Sequence, residues 1–332
     1  MIGGLETGLV VVVALAVAFA WTNGFHDASN AIATSVSTRA LTPRLAIVVA
    51  TVANTAGAFF GQGVAGFFAE LFLPSNGAMG LPVLAGALGG AIVWNLGTWR
   101  LGLPSSSTHA LIGGLVGAGL AAGASVRWVA VVDSFVVPMV VSPVVGFALA
   151  WLAMVGLTRR FRLTPAGELR RGLRYAQTIS AVAVAFGHGM QDAAKTAGVI
   201  ALALVVTGRA GGPHAPWWAL ALAAVGIGAG TLAGGWRVTR TLGWGLTRVG
   251  PGEGFAAETL SSLVLYGATI LRLPISTTYV VTSAIAGAGT ATRGHLAVRW
   301  GLVRRIVLAW ALTVPGAALV GALACDLFQL AD

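Results

Sequence analysis

Charge is what this chain has least of. Only 9% of its 332 residues are Asp, Glu, Lys or Arg, while 57% are hydrophobic. A soluble domain carries about a quarter charged residues. A chain this poor in charge cannot cover a water-facing surface, so it reads as an integral membrane protein. Its apolar segments are long, and the short alternating strands of a transmembrane β-barrel are missing. The single cysteine, Cys325, excludes an intramolecular disulfide and leaves the redox compartment unread. The chain has no Walker loop, no nucleophile elbow, no HExxH and no zinc-ligand spacing, which removes the common hydrolase and nucleotide-binding readings. The N-terminus carries Glu6 and no basic n-region, so the first apolar run is expected to be a membrane helix and not a removed signal.

What is present in their place is arginine. The formal charge is +10, and lysine occurs only at Lys195. The arginines sit in short gaps between apolar runs, as the positive-inside rule expects, and do not point to nucleic acid. Apolar stretches cover residues 45–73, 81–99, 128–157, 175–206, 217–233 and 255–271, with a last one ending near residue 330. Residues 158–174 hold Arg159, Arg160, Arg162, Arg170, Arg171 and Arg174 against Glu168 alone. This stretch is expected to be a basic cytoplasmic linker between a first repeat, 1–157, and a second, 175–332. Tryptophans at 99, 128, 217, 218 and 300 fit interfacial belts.

Two acidic islands interrupt this apolar background. The first, NGFHDASNA at 23–31, places Asp27 beside Asn23, His26, Ser29 and Asn30; the second, HGMQDAAK at 188–195, places Asp192 beside His188, Gln191 and Lys195. A carboxylate inside a membrane needs a cation, a proton or a base. The run at 9–21 is shorter than a bilayer crossing, so the first island is expected to lie within the span, in a discontinuous helix broken near Gly24. The hard oxygens around Asp27 suit one sodium ion or a hydronium-like species better than a soft metal. Asp192 and Lys195, at i,i+3, can form a structural salt bridge or part of a working site. His26, His109 and His188 are either hydrogen-bonding residues or proton carriers. Glu258 is a further candidate for lining a pathway.

Two hydroxyl clusters follow the islands. Pro104 precedes Ser105, Ser106, Ser107, Thr108 and His109; Pro274 precedes Ser276, Thr277, Thr278 and Tyr279. Proline is tolerated in a first helical turn and serine caps it. A helix opening there inside a membrane aims free N–H groups, hydroxyls and a positive dipole end at one place, which is an anion site suited to a tetrahedral oxyanion. The competing reading is that the hydroxyls bond only their own helices. The aspartates are 165 residues apart and the prolines 170. Two unrelated motifs recurring in the same order signal an internal duplication, and a transporter site at the interface of the two halves.

The four motifs NGFHDASNA (23–31), GLPSSSTHALIGG (102–114), HGMQDAAK (188–195) and LPISTTY (273–279), in this order and across nearly the whole chain, resemble the PiT-type inorganic phosphate transporters. The resemblance implies an all-α membrane protein of two inverted repeats, with discontinuous helices, re-entrant hairpins starting at the Pro-Ser motifs, and about 10–12 membrane segments. It implies phosphate bound between the halves by Ser105, Ser106, Ser107, Thr108, Ser276, Thr277 and Thr278. Cation or proton coupling is expected through Asn23, Asp27, Asn30, Gln191, Asp192 and Lys195. A homodimer in the plasma membrane is also implied, with no cofactor beyond a cotransported proton or sodium ion. Phosphate is the expected substrate, free or as a metal complex. Gln191 and Tyr279 depart from the family pattern of Asn and His, and sulfate-carrying relatives exist. Sodium coupling is one alternative. A membrane-embedded phosphotransfer enzyme and a passive anion channel are the readings from other classes. Lys195 stands opposite Asn30 at the 165-residue offset. An ammonium there fills the role of a sodium ion, so proton coupling is expected, as in bacterial family members carrying a lysine at this position.

Overall fold

The computed structural model describes residues 2–72 and 80–331, and nearly all of them are helical. The expected apolar run to Leu73 therefore ends just outside the described residues. Helix α1 (Ile2–Ser37) leads to α2 (Pro43–Ala58), α3 (Gln62–Leu71), α4 (Leu81–Arg100) and α5 (Ser107–Ala121). A short α6 (Trp128–Val131) runs through a π-helical turn into α7 (Val137–Arg160). The second series is α8 (Ala166–Val206), α9 (Trp217–Ala233), α10 (Trp236–Arg240), α11 (Pro251–Ile270), α12 (Thr277–Arg293) and α13 (Trp300–Ala331). Helix starts follow the local chemistry. Thr42 caps α2, whose first residue is Pro43, and Ser106 and Ser276 cap α5 and α12 with their side-chain oxygens.

The two series match element by element. Each opens on a long helix, α1 or α8, of 36 or 41 residues. Each continues in a bent pair: α2 and α3 meet at 62°, and α9 meets the segment Trp236–Gly245 at 60°. Each then turns through a hairpin, α4–α5 or α11–α12, and closes on a long helix, α7 or α13. The hairpin corners match too: Gly102 and Arg272, 170 residues apart, both adopt left-handed backbone (φ 67° and 58°). The packing is exchanged between series. α1 lies against α9 and α8 against α2, while α13 packs on α4 and α5 and α7 packs on α11 and α12. Neither half can bury its hairpin without the other's last helix.

Among the described residues, five helices are long and apolar enough to cross a membrane, or up to seven if each bent pair is one span. Val140, Val144 and Leu152 on α7, and Leu308, Leu312 and Leu319 on α13, stay exposed. Such apolar faces fit hydrocarbon and not water.

Two sequence expectations need correction. The break near Gly24 is not there. α1 runs unbroken through the polar island, as α8 runs through its own; the discontinuities lie in the bent pairs instead. Gly24 serves close approach: a Cβ on it would stand 2.1 Å from the Ile227 carbonyl oxygen of α9. Its counterpart Gly189 meets the Asn54 carbonyl oxygen of α2, at 2.0 Å from such a Cβ. The expected linker at 158–174 is also mostly helix. Only residues 161–165 separate α7 from α8, because its Arg, Leu and Glu residues are good helix formers and continue both ends.

Candidate functional site

The islands and the hydroxyl clusters converge at the centre of the protein. Asp27 and Asp192 keep 3% and 2% of their surface, and all seven hydroxyl residues are buried. Because α1 and α8 are continuous, each aspartate sits on a rigid helix face. The first turn of a hairpin helix is set against it. Ser107 Oγ donates to Asp27 Oδ2 at 3.2 Å, and Thr277 Oγ1 donates to Asp192 Oδ2 at 3.2 Å. The next residues of the hairpins bond across the halves. Asn30 Nδ2 donates to Thr278 Oγ1 at 3.0 Å, and Lys195 Nζ donates to Thr108 Oγ1. Equivalent positions thus make equivalent bonds twice, each crossing between α1 or α8 and a hairpin.

The competing reading, in which the hydroxyls bond only their own helices, does not describe this arrangement. Ser106 and Ser276 do act as N-caps, accepting from the backbone N–H of His109 (3.2 Å) and Tyr279 (3.3 Å). Ser107, Thr108, Thr277 and Thr278 instead engage the islands, and Ser105 Oγ lies 2.8 Å from Thr98 Oγ1. The hairpin first turns meet through stacked His109 and Tyr279 rings, 4.9 Å between centroids. Trp310 of α13 stacks on the far side of Tyr279 at 3.9 Å, and its indole N–H donates to the Pro104 carbonyl at 2.9 Å.

The partners of the two aspartates differ. Asp27 Oδ1 takes His26 Nδ1 at 2.5 Å, which leaves His26 Nε2 to face the hydroxyls of Thr98 (3.2 Å) and Ser105 (3.4 Å). Asp192 Oδ1 is ion-paired with Lys195, and His188 Nε2 lies 2.8 Å from Asp192 Oδ2. Lys195 Nζ also reaches the Ile275 carbonyl at 3.3 Å, so one ammonium gathers three oxygens from α8, α5 and the second hairpin. The matching Asn30 is neutral, and its Oδ1 is buried with no hydrogen-bond partner among the described residues. Asn23, one turn before Asp27, is buried with both amide atoms likewise unpartnered. Gln191 holds the second hairpin in place: its Nε2 donates to Thr269 Oγ1 (2.9 Å) and its Oε1 accepts from Ile275 N–H (3.3 Å).

No single segment has metal-ligand spacing, yet the fold assembles a ligand group across the halves. One ligand atom each from Asp27, His188 and Asp192 lies within 4.8 Å of the others. Two carboxylates and one ammonium leave the centre one negative charge in excess when the imidazoles are neutral. It is therefore equipped to take a cation.

Glu258 lies apart from this centre, buried between α1, α8 and α11. Oε1 accepts from Thr34 Oγ1 (2.6 Å) and Gln177 Nε2 (3.2 Å), and Oε2 from Ser180 Oγ (2.6 Å). Sequence reasoning misses Thr98, Thr34, Gln177 and Asn54. Asn54 accepts from His188 Nδ1 at 3.0 Å and donates to Thr231 Oγ1 at 2.9 Å. The available signal is a lone amide in an apolar run, the same signal that exposes the islands.

A helical membrane protein that closes a charged, hydroxyl-lined centre between two exchanged halves is built as a carrier. The comparisons with known proteins specify which kind. The profile of the phosphate transporter family matches residues 23–173 and 162–321, and the chain belongs to that family. It is 44% identical over 320 residues to a Rhizobium meliloti protein named "Probable low-affinity inorganic phosphate transporter", covering 95% of both chains. A Bacillus subtilis protein of the same name is 36% identical over 319 residues, again covering 95% of each. A solved structure titled "The sodium-dependent phosphate transporter" superposes with a TM-score of 0.85 at 25% identity, over 98% of this chain and 99% of that one. The protein is thus a multi-pass membrane transporter and not an enzyme.

Proposed function

We propose that this chain imports inorganic phosphate across the plasma membrane by symport with protons, through a site shared by two inverted repeats. The observation that carries the reading is the pairing of Ser107 with Asp27 and of Thr277 with Asp192. These hydroxyls can serve a carboxylate or a phosphate, but each has one proton to donate. A cation or proton arriving at Asp27 satisfies that carboxylate, as the Lys195 ammonium already does for Asp192, and the hydroxyls are released. They then turn to phosphate beside the free N–H groups of α5 and α12, whose dipoles favour an anion. The same event cancels the excess negative charge that otherwise repels phosphate. Cation therefore binds first and phosphate second, and the halves rock only when both are held.

Lys195 supports the proton as the coupling ion. Its ammonium occupies the oxygens of Asp192, Thr108 and Ile275, the kind of cage a sodium ion needs. The sodium dependence in the structural neighbour's title favours the other reading, and Asp27 with the unpartnered Asn30 Oδ1 and Asn23 offers one place for that ion. Uptake of labelled phosphate into liposomes, with pH and sodium gradients imposed separately, decides between them. Accumulation driven by the proton gradient alone is expected. Accumulation that follows only the sodium gradient at equal pH overturns the proton reading.

A further inference from the structure

A concentration of positive charge lies away from the central site, at the end of the molecule where α7 passes into α8. There a cavity of about 560 Å³ opens to the surface. Four arginines line it from three distant parts of the chain: Arg39 after α1, Arg170 and Arg174 on α8, and Arg293 in the last turn of α12. A second concavity of about 430 Å³ shares Arg170 and Arg174 and adds Arg171. The one acid among the residues lining the larger cavity is Glu253, whose Oε2 accepts the Gly250 N–H at 3.1 Å and whose Oε1 stands 3.9 Å from Arg293. Arg39, Arg170 and Arg174 have no carboxylate partner among the described residues.

The positive-inside rule accounts for arginines at this edge but not for their convergence on one hollow. Arg159, Arg160 and Arg162 obey the same rule and do not line it. Guanidinium groups are suited to phosphate: they are planar, permanently charged and offer forked donors. Arg39 occupies a left-handed position (φ 60°) at the end of α1, where glycine is the easier residue.

We propose that this hollow is a second binding site for a phosphate group, distinct from the buried centre. The group comes either from free phosphate or from the headgroup of an anionic lipid at the membrane edge. The site stands at the mouth of a buried polar chain. Thr38 lines the cavity and donates to Gln177 Oε1 at 2.7 Å, and Gln177 donates onward to Glu258.

The test uses the full chain in neutral detergent and follows its melting temperature. Inorganic phosphate and phosphatidylglycerol are added separately, to wild type and to R170Q/R174Q. R159Q/R162Q loses the same charge away from the cavity and serves as control. A rise in wild type that shrinks in R170Q/R174Q and persists in the control supports the site. The phosphate arm or the lipid arm in which this happens identifies the source. Equal responses in all three proteins, or equal losses in both variants, overturn it. If R170Q/R174Q does not fold, R39G, which also relieves the backbone, takes its place with the same readings.

Discussion

The two halves of this protein share a scaffold and divide the chemistry. Gly24 and Gly189 let the long helices touch their partners at the same point, Ser107 and Thr277 face the aspartates alike, and Asn30 and Lys195 reach across to matching threonines. Then the likeness stops. In the first half the aspartate is paired with His26 and an amide lies nearby; in the second it is locked to an ammonium and flanked by His188. Duplicated side-chain bonds tie the two halves together in the same way, whereas the exchange of Asn30 for Lys195 at matched positions gives one aspartate an internal ammonium and leaves the other without one.

The largest difference between the halves should appear in stability. Removing the charge of Asp192 leaves Lys195 buried without its counterion. Breaking a buried pair in this way costs about 3–5 kcal/mol. Asp192→Asn is expected to unfold far more readily than Asp27→Asn, whose partners His26 and Ser107 are neutral or neutralisable. Both should lose phosphate uptake. The double variant Asp192→Asn/Lys195→Asn should recover the lost stability without recovering uptake. Thermal unfolding in detergent, with uptake into liposomes, checks all three; equal melting temperatures for the two single variants would remove the asymmetry.

A second experiment removes the charged part of that asymmetry. Lys195→Asn gives the second half the residue of the first. Asp192 then lacks its tethered cation and needs one from solution. Phosphate uptake is expected to become sodium-stimulated, with the response to a proton gradient reduced about tenfold, the effect of roughly 1.4 kcal/mol in coupling. Uptake by this variant that still follows the proton gradient alone would show that the ammonium plays no part in ion choice.

Much of this likeness between the halves is legible in the amino-acid sequence. Offsets of 165 and 170 residues between the motifs announce the duplication, because intramembrane acids and Pro-Ser turns are too costly to recur by accident. The resemblance in four motifs brings the family, the hairpins and the residues of the centre. Continuity of α1 is not legible there. A glycine inside a polar cluster looks like a break, and only the carbonyl of Ile227 at its Cβ position reveals a contact instead. The helical character of residues 158–174 is hidden for a similar reason: charge reads as loop, although arginine and glutamate favour helix. Asn54 and Gln177 show no more than a lone amide among apolar neighbours and Thr98 not even that, because their partners come from distant helices.

The hydroxyl pair tests where the halves should still agree. Ser107→Ala and Thr277→Val each remove a donor to a charged ligand, worth about 1.5–3 kcal/mol. Each should weaken phosphate binding by about ten- to a hundredfold, by similar amounts, as measured by binding of labelled phosphate to the purified protein. A loss confined to one half would mean that phosphate sits off the axis between the hairpins.

The smallest effect is expected at the stacked rings. His109 and Tyr279 occupy matched positions, and Trp310 covers the tyrosine alone. Tyr279→His makes the two hairpins alike at this position. The imidazole keeps a flat face toward His109 but gives up area against Trp310. Aromatic pairs contribute about 0.5–1.5 kcal/mol beyond area burial, and only part of that is lost here. The Tyr279 hydroxyl is buried with no hydrogen-bond partner among the described residues, and the imidazole brings polar nitrogens to the same place, so the desolvation cost changes little. The melting temperature should therefore move little and phosphate affinity less than tenfold. A large fall in affinity with unchanged melting would instead place the tyrosine hydroxyl on the anion itself, and the asymmetry of the halves would then extend from the cation to the substrate.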